Sequence, residues 1–332
     1  MSSNQHRLVY NVPLVPVSGS RFQPTGFPDI GAAVFDRPRS DPNGEVSWER
    51  ALLVESAQSM ANRLEATAWD AGSDAALALF DGLPYVRVVV AGEETYLTSS
   101  RTEAHRLASA FIKQATLDGV EMTQVIRERL NLRDDRPLAA REIAAAVFAL
   151  DPFCLLHGVF FAESAKVWPG QPRILRAVTG SIEAHDVRRA DSGGVKKDLV
   201  RHSLGETGGT AEGYGTVPFH RTEWTAAEII ASFSVDRSQL RSYGLGEAAT
   251  RLLESIALYE IRSLLDNDLR LRTACDLAPI DAHVVDQAGE ALPDLTTLES
   301  SIRELIPQVA DLSGDGQPIV VRWSGGKAKA KV

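Results

Sequence analysis

The chain has 332 residues, enough for one large domain with insertions or for two ordinary ones. With 44% hydrophobic and 24% charged residues, its make-up is that of a protein that folds in water, and not of a disordered one. No apolar run reaches the ~18 residues of a membrane helix, and a net charge of −9 argues at first against nucleic acid.

Leu8–Val17, LVYNVPLVPV, reads as a strand whose prolines suggest an edge position or a bulge. A loop rich in Gly and Pro follows from Ser18 to Gly44. Ser47 is then placed to cap a helix running to Ala68, with Leu53, Ala57, Met60, Ala61 and Leu64 on its core face. Glu55, Gln58 and Asn62 form a polar stripe on this helix, with Arg63 beside it. YVRVVV and ETYLTSS are two β-rich runs separated by AGEE, a hairpin pattern. Helical patterns follow over Thr102–Ala115, Met122–Leu130 and Leu138–Leu150, and the apolar string Pro152–Ala162 must be buried.

Arg173–Glu183 and Phe219–Trp224 read as strands flanking a basic, glycine-rich segment. Ile229–Val235 is a further strand, and Glu247–Leu265 a helix with Ala249, Leu253, Ala257, Ile261 and Leu264 on one face. Leu269–Leu277 alternates as a strand that puts Arg270 and Arg272 on one side. Pro318–Trp323, PIVVRW, reads as an edge strand. Without its insertions the order strand, helix, hairpin, helix, strand fits an α+β fold of the split βαβ kind, ferredoxin-like or RRM-like.

The charge is unevenly distributed. Asp281–Gln317 holds eight acidic residues and one arginine, whereas Lys166–Ser203 holds eight Lys/Arg against four Asp/Glu. An acidic total therefore leaves room for a basic surface. The start, MSSNQHRLVYNVPLVPVSGS, has no basic stretch leading into an apolar one, so the expected protein is not secreted. Cys154 and Cys275 lie in apolar strings without CxxC spacing and read as buried thiols of a reducing cytoplasm.

No GxxxxGK[ST], no GxGxxG between strand and helix, no HExxH and no GxSxG is present. Cys154 and His157 could form a nucleophile–base pair only in the most apolar string of the chain, where a thiolate is costly. His220 is placed as a polar strand residue of an interface in preference to a general base. No cofactor and no metal is expected. The residues that remain suit a surface for ribose-phosphate: Arg21 and Gln23 after the first strand, Gln58, Asn62 and Arg63 on the first helix, Lys196, Lys197 and Arg201 in the insertion, His220 and Arg221 on the returning strand, and Arg270 and Arg272. Lys and Arg neutralise phosphates, and amides bond sugar and phosphate oxygens without reading sequence.

Five stretches in order, GSRFQPTGFPDIGAA (19–33), LLVESAQSMANRLE (52–65), LDPFCLLHGVFFA (150–162), GTVPFHRTEWTA (215–226) and LRLRTACDLAP (269–279), carry a resemblance over residues 8–280. They resemble the crRNA-binding backbone subunit, of the RAMP superfamily, in the type I-G (formerly I-U) CRISPR surveillance complex, Cascade. The resemblance implies an RRM-like palm over residues 1–280, with a helical finger insertion near 70–165 and a thumb hairpin near 186–218. The acidic segment and final strand, 281–332, stand outside it. It implies no catalysis, and as partners crRNA, target DNA through the guide, further copies of the chain in a filament, the large subunit and the handle-binding, repeat-processing subunit. The alternative it leaves is an RNA endonuclease of the same superfamily. Type III relatives cleave target RNA with a loop aspartate. Asp29 and Asp36 follow the first strand here, and Asp29 is taken as a turn residue.

Overall fold

The computed structural model describes residues 6–27, 31–164, 166–197, 216–267 and 269–325. Strand β1 (Arg7–Pro16) buries Leu8, Tyr10, Val12 and Leu14 on one face and turns the residues between them outward. It is not an edge strand, as its prolines had suggested. The prolines sit where no ladder donor is needed. The Val9 and Pro13 carbonyls accept from Gln287 and Ile280, both at 3.0 Å, so Pro13 turns its missing N–H to a flank where pairing begins only at Leu14. Pro16 turns its own toward a neighbour whose pairing with β1 has ended at Leu14.

The chain then runs through hairpin β2 (Val34–Ser40) and β3 (Val46–Glu55) into helix α1 (Ala57–Ala66). Ser47 is therefore a strand residue. The helix cap is Ser56, whose Oγ accepts from Ser59 N at 3.3 Å. Met60, Ala61 and Leu64 are buried as expected, but Leu53 lies half-buried on the strand, and Glu55, assigned to a polar helical stripe, is fully buried.

An insertion follows. It contains β4 (Val86–Val90), β5 (Tyr96–Ser99), β6 (Thr116–Leu117), β7 (Val120–Glu121), helix α2 (Ala140–Leu150) and short helix α3 (Phe153–His157). Of the Thr102–Ala115 pattern only Ala110–Gln114 is α-helical, after a turn that holds Arg106 at φ 50°. The main sheet resumes with β8 (Val178–His185), a projecting hairpin of β9 (Arg188–Lys197) and β10 (Thr216–Thr225), and β11 (Glu228–Asp236). Helix α4 (Glu247–Asp266) leads to β12 (Leu269–Arg272) and β13 (Cys275–Pro279). LRLRTACDL is thus a hairpin and not one strand. The chain reverses at Thr273–Ala274, with Ala274 at φ 59° and its carbonyl held by Gln23 N at 2.8 Å.

Among the described residues the main sheet runs β12-β13-β1-β11-β8-β3-β2, with every neighbouring pair antiparallel. Counting β1, β8, β11 and β13 as strands one to four, the order 4-1-3-2 with α1 and α4 as the two connections is the ferredoxin-like, RRM-like arrangement. Met60 of α1 lies against Gly180 of β8 so closely that a Cβ there would meet its Cγ at 2.8 Å.

The acidic segment is folded. In α5 (Leu295–Leu305) Leu298, Ile302 and Leu305 are buried, and its helix packs on α4. The Asp294 carboxylate caps it by accepting from Thr297 N at 2.7 Å, which holds the Asp294 pKa below the usual range. The final strand β14 (Ile319–Trp323) is no edge. It lies between β6 and β4, parallel to β4, and completes the insertion's sheet β7-β6-β14-β4-β5.

Candidate nucleic-acid interface

Glu55 organises the region beneath the loop that follows β1. Its carboxylate accepts from Arg63 Nε at 2.9 Å and from the Arg272 guanidinium. Arg63 goes on to the carbonyls of Leu271 at 2.5 Å and Arg270 at 3.4 Å, and Arg272 to those of Gln23 at 3.2 Å and Val54 at 3.1 Å. One buried anion thus fastens α1, the β12–β13 turn and the loop after β1 together. Burial pushes the Arg63 pKa down.

That loop is also pinned to the root of the β9–β10 hairpin: Phe22 and Trp224 exchange backbone hydrogen bonds, both at 2.9 Å. Between loop, hairpin root and β3 lies a groove of about 910 Å³. Its chemistry comes from Gln23, Arg50, Arg189, His220, Arg221 and Arg272, over a floor that includes Trp224, whose buried Nε1 has no acceptor among the described residues. No carboxylate is among the described lining residues. Arg189 reaches Asp191 Oδ1 at 2.9 Å and Thr222 Oγ1 at 3.2 Å, His220 stands 3.7 Å from Asp191, and Arg221 stands 3.8 Å from Glu223. Arg50 is exposed and forms no ion pair among the described residues.

A second cleft of about 660 Å³ opens at the N-terminus of α1, lined by Gln58, His105, Arg106, Phe160, Arg173 and Arg176 among others. Arg173 lies over the exposed Phe160 ring at 5.2 Å, a cation–π contact. Arg176 donates to the Ala57 carbonyl at 3.2 Å, and its pKa is lowered by burial and then by Arg106. Behind this cleft lies a buried polar network. Arg106 grips Glu65 with Nε and Nη2, both at 2.6 Å, and Arg101 donates to Asp151 at 2.7 Å. His157 Nε2 meets both oxygens of Glu260, at 3.0 and 2.9 Å. Burial lowers His157 to about 4 and pushes Glu260 well above its usual range, so the pair shares one proton. His157 is a partner of Glu260 and no base for Cys154, whose thiol pKa burial raises well above normal.

The structure thus separates the residues that sequence grouped. Gln23, His220, Arg221 and Arg272 share the groove, but Arg272 is held by Glu55. Arg21 lies in an adjoining cleft, 3.5 Å from Glu223. Gln58 belongs to the second cleft, and Asn62 is exposed elsewhere on α1. Arg63 and Arg270 line a third cleft, where Arg270 is 87% exposed. Lys196 and Lys197 end the described part of β9, and Arg201 and Asp29 lie outside the described residues. Asp36 pairs across from Arg50 in the β2–β3 register. Arg50, Arg189 and Trp224 were missed. Arg189 stood in the basic segment, whereas Arg50 was hidden inside a strand read as helix.

Fold and groove together define a ferredoxin-like protein with a cation-lined cleft between its sheet and a projecting hairpin. The chain belongs to the family described as CRISPR-associated protein GSU0053, whose model matches residues 8–189. A chain of a solved structure entitled "CRISPR RNA-guided surveillance complex, pre-nicking" is similar at a TM-score of 0.31 and 11% identity, covering 87% of this chain and 75% of its own. No curated protein matches the sequence. No described helix is long and apolar enough to cross a membrane.

Proposed function

We propose that this protein is a non-catalytic subunit of a cytoplasmic CRISPR effector complex that holds crRNA by its ribose-phosphate backbone. Copies stand side by side along one guide in a filament, with the large subunit and the repeat-processing subunit as further partners. The bases stay free to pair with target DNA. The observation that carries this reading is the groove: Arg50, Arg189, Arg221 and His220 line it, beside an Arg272 held by Glu55 and without a described lining carboxylate, on a chain of net charge −9. A subunit that serves any spacer cannot use base edges, so it contacts phosphate and shape. The β9–β10 hairpin fits the thumb that the sequence resemblance implies, and the second cleft at Gln58 gives the strand a further place on the palm.

The test uses the full chain and labelled single-stranded RNAs of scrambled sequence. Binding should be independent of sequence and should weaken with salt by about 0.7 log units per log unit of salt for each phosphate contact. Discrete fragments on incubation with repeat RNA, or cutting of target RNA that Asp29→Ala abolishes, would replace this reading with an endonuclease.

A further inference from the structure

We infer that Trp48, on the projecting part of the β2–β3 hairpin, is a stacking platform for a nucleobase of the strand lying in the groove. This rests on the reading above and adds to it a contact with a base, where that reading has contacts with phosphate alone. Strand β3 pairs with β8 only from Ala51 to Glu55, and the Arg50 carbonyl still accepts from Val187 N at 3.1 Å, so beyond Arg50 the hairpin leaves the sheet. The cross-strand pairs Asp36–Arg50, Pro38–Trp48 and Ser40–Val46 fall on one face, and Arg37–Glu49 and Arg39–Ser47 on the other.

The two faces have opposite characters. On the second, Glu49 is satisfied by Arg37 at 2.5 Å and Arg39 at 3.3 Å. On the first, Trp48 is 68% exposed beside Val46 at 57%, with no polar group of the described chain engaging either ring or branch. An indole left in water on a two-stranded projection is not there for the core of this chain.

Continuity with the groove identifies the occupant. Arg50 lines the groove, and Trp48 stands on the same face about 7 Å further along the strand. A chain of phosphates gripped at Arg50 therefore brings the next base to the indole. Stacking uses the π-face that every base has, so it adds affinity without preference for sequence. The hairpin is pre-organised for this. Its tip is closed by Asp41, whose Oδ1 accepts from Asn43 N at 2.9 Å and Glu45 N at 2.8 Å, with Gly44 supplying φ 83°.

The experiment compares full-length wild type, Trp48→Ala and Trp48→Phe on two labelled probes, a uridine oligomer and a matched abasic oligomer with the same sugar-phosphate backbone. Trp48→Ala should weaken the uridine oligomer about tenfold and leave the abasic one unchanged, and Trp48→Phe should recover most of the loss. Equal losses on both probes, or no loss on either while Arg50→Ala still weakens both, overturn the inference and leave the RNA reading standing. A wild type that binds neither probe overturns both. A shift in the sedimentation of RNA-free protein on Trp48→Ala would make a second copy of the chain the occupant, and would also overturn it.

Discussion

Changing Glu55 to Gln removes one negative charge from between two guanidinium groups and leaves the shape almost intact. The carboxylate is fully buried, and the side chains of Arg63 and Arg272 are only 26% and 25% exposed. Breaking a buried ion pair from one side costs about 3–5 kcal/mol, because the remaining charge keeps its desolvation penalty. Two cations lose their partner here, but each retains backbone carbonyl acceptors and some water, which places the expected loss near the lower end, about 3 kcal/mol. Urea unfolding measures it as a lower midpoint at unchanged slope. Arg63→Ala should cost less, since Arg272 still neutralises Glu55, and should leave the salt dependence of RNA binding as in wild type. A Glu55→Gln protein destabilised by less than about 1 kcal/mol, together with an Arg63→Ala protein of full stability and flattened salt slope, would refute the reasoning. Arg63 would then be an RNA contact and not part of the scaffold.

The triple change Arg50→Ala, Arg189→Ala, Arg221→Ala should weaken RNA binding evenly across sequences and flatten the salt slope by up to about 0.7 per lost contact, with melting little changed. Met60→Ala should cost about 2–5 kcal/mol in the same urea assay, whereas Leu53→Ala, half-buried on β3, should cost under about 2 kcal/mol. The His157–Glu260 pair gives a pH signature. Below the unfolded His value of 6.5 and above the unfolded Glu value of 4.5, folded and unfolded states each hold one proton on these groups, so the pair adds no pH dependence there. Above 6.5 the unfolded state releases that proton while Glu260 keeps it in the folded state, so stability should fall as pH rises. Subtracting the profile of Glu260→Gln isolates the effect, and identical alkaline slopes in the two proteins would rule it out.

Elements with one dominant period were legible. Helix α4 showed its buried face from Ala249 to Ile261, the β4–β5 hairpin stood out as two β-rich runs about AGEE, and the strand around Phe233 as a further β-rich run. The Val46–Glu55 stretch was not, because VSWERALLVE supplies apolar residues at both helical and strand spacings. Pairing with β2 and β8 decides between them, and that is tertiary information. The turn at Thr273–Ala274 has neither Gly nor Asn to announce it. Its positive φ is held by a hydrogen bond from Gln23, remote in sequence. PIVVRW has only Val321 fully buried, and its partners β6 and β4 lie far away in the chain, so the run was read as an edge. Of the site, the kinds of residue were legible. Their grouping was not, because Glu55 binds two of the predicted arginines inside the fold.

Arginine has two uses in this acidic protein. A guanidinium held by a buried carboxylate, as at Glu55, Glu65 or Asp151, fixes elements to one another and has little left to offer a ligand. A guanidinium near an exposed carboxylate keeps its partner loosely, since such pairs contribute about 0–1 kcal/mol. Arg189 and Asp191 form a pair of this second kind, with side chains 58% and 55% exposed. Exchanging that carboxylate for a phosphate would cost little, since it leaves Asp191 in water. Arg50, with no such partner among the described residues, has no exchange to make. Carboxylates buried deep in the fold neutralise the arginines that build it, whereas the exposed Asp191 beside the groove holds Arg189 only loosely.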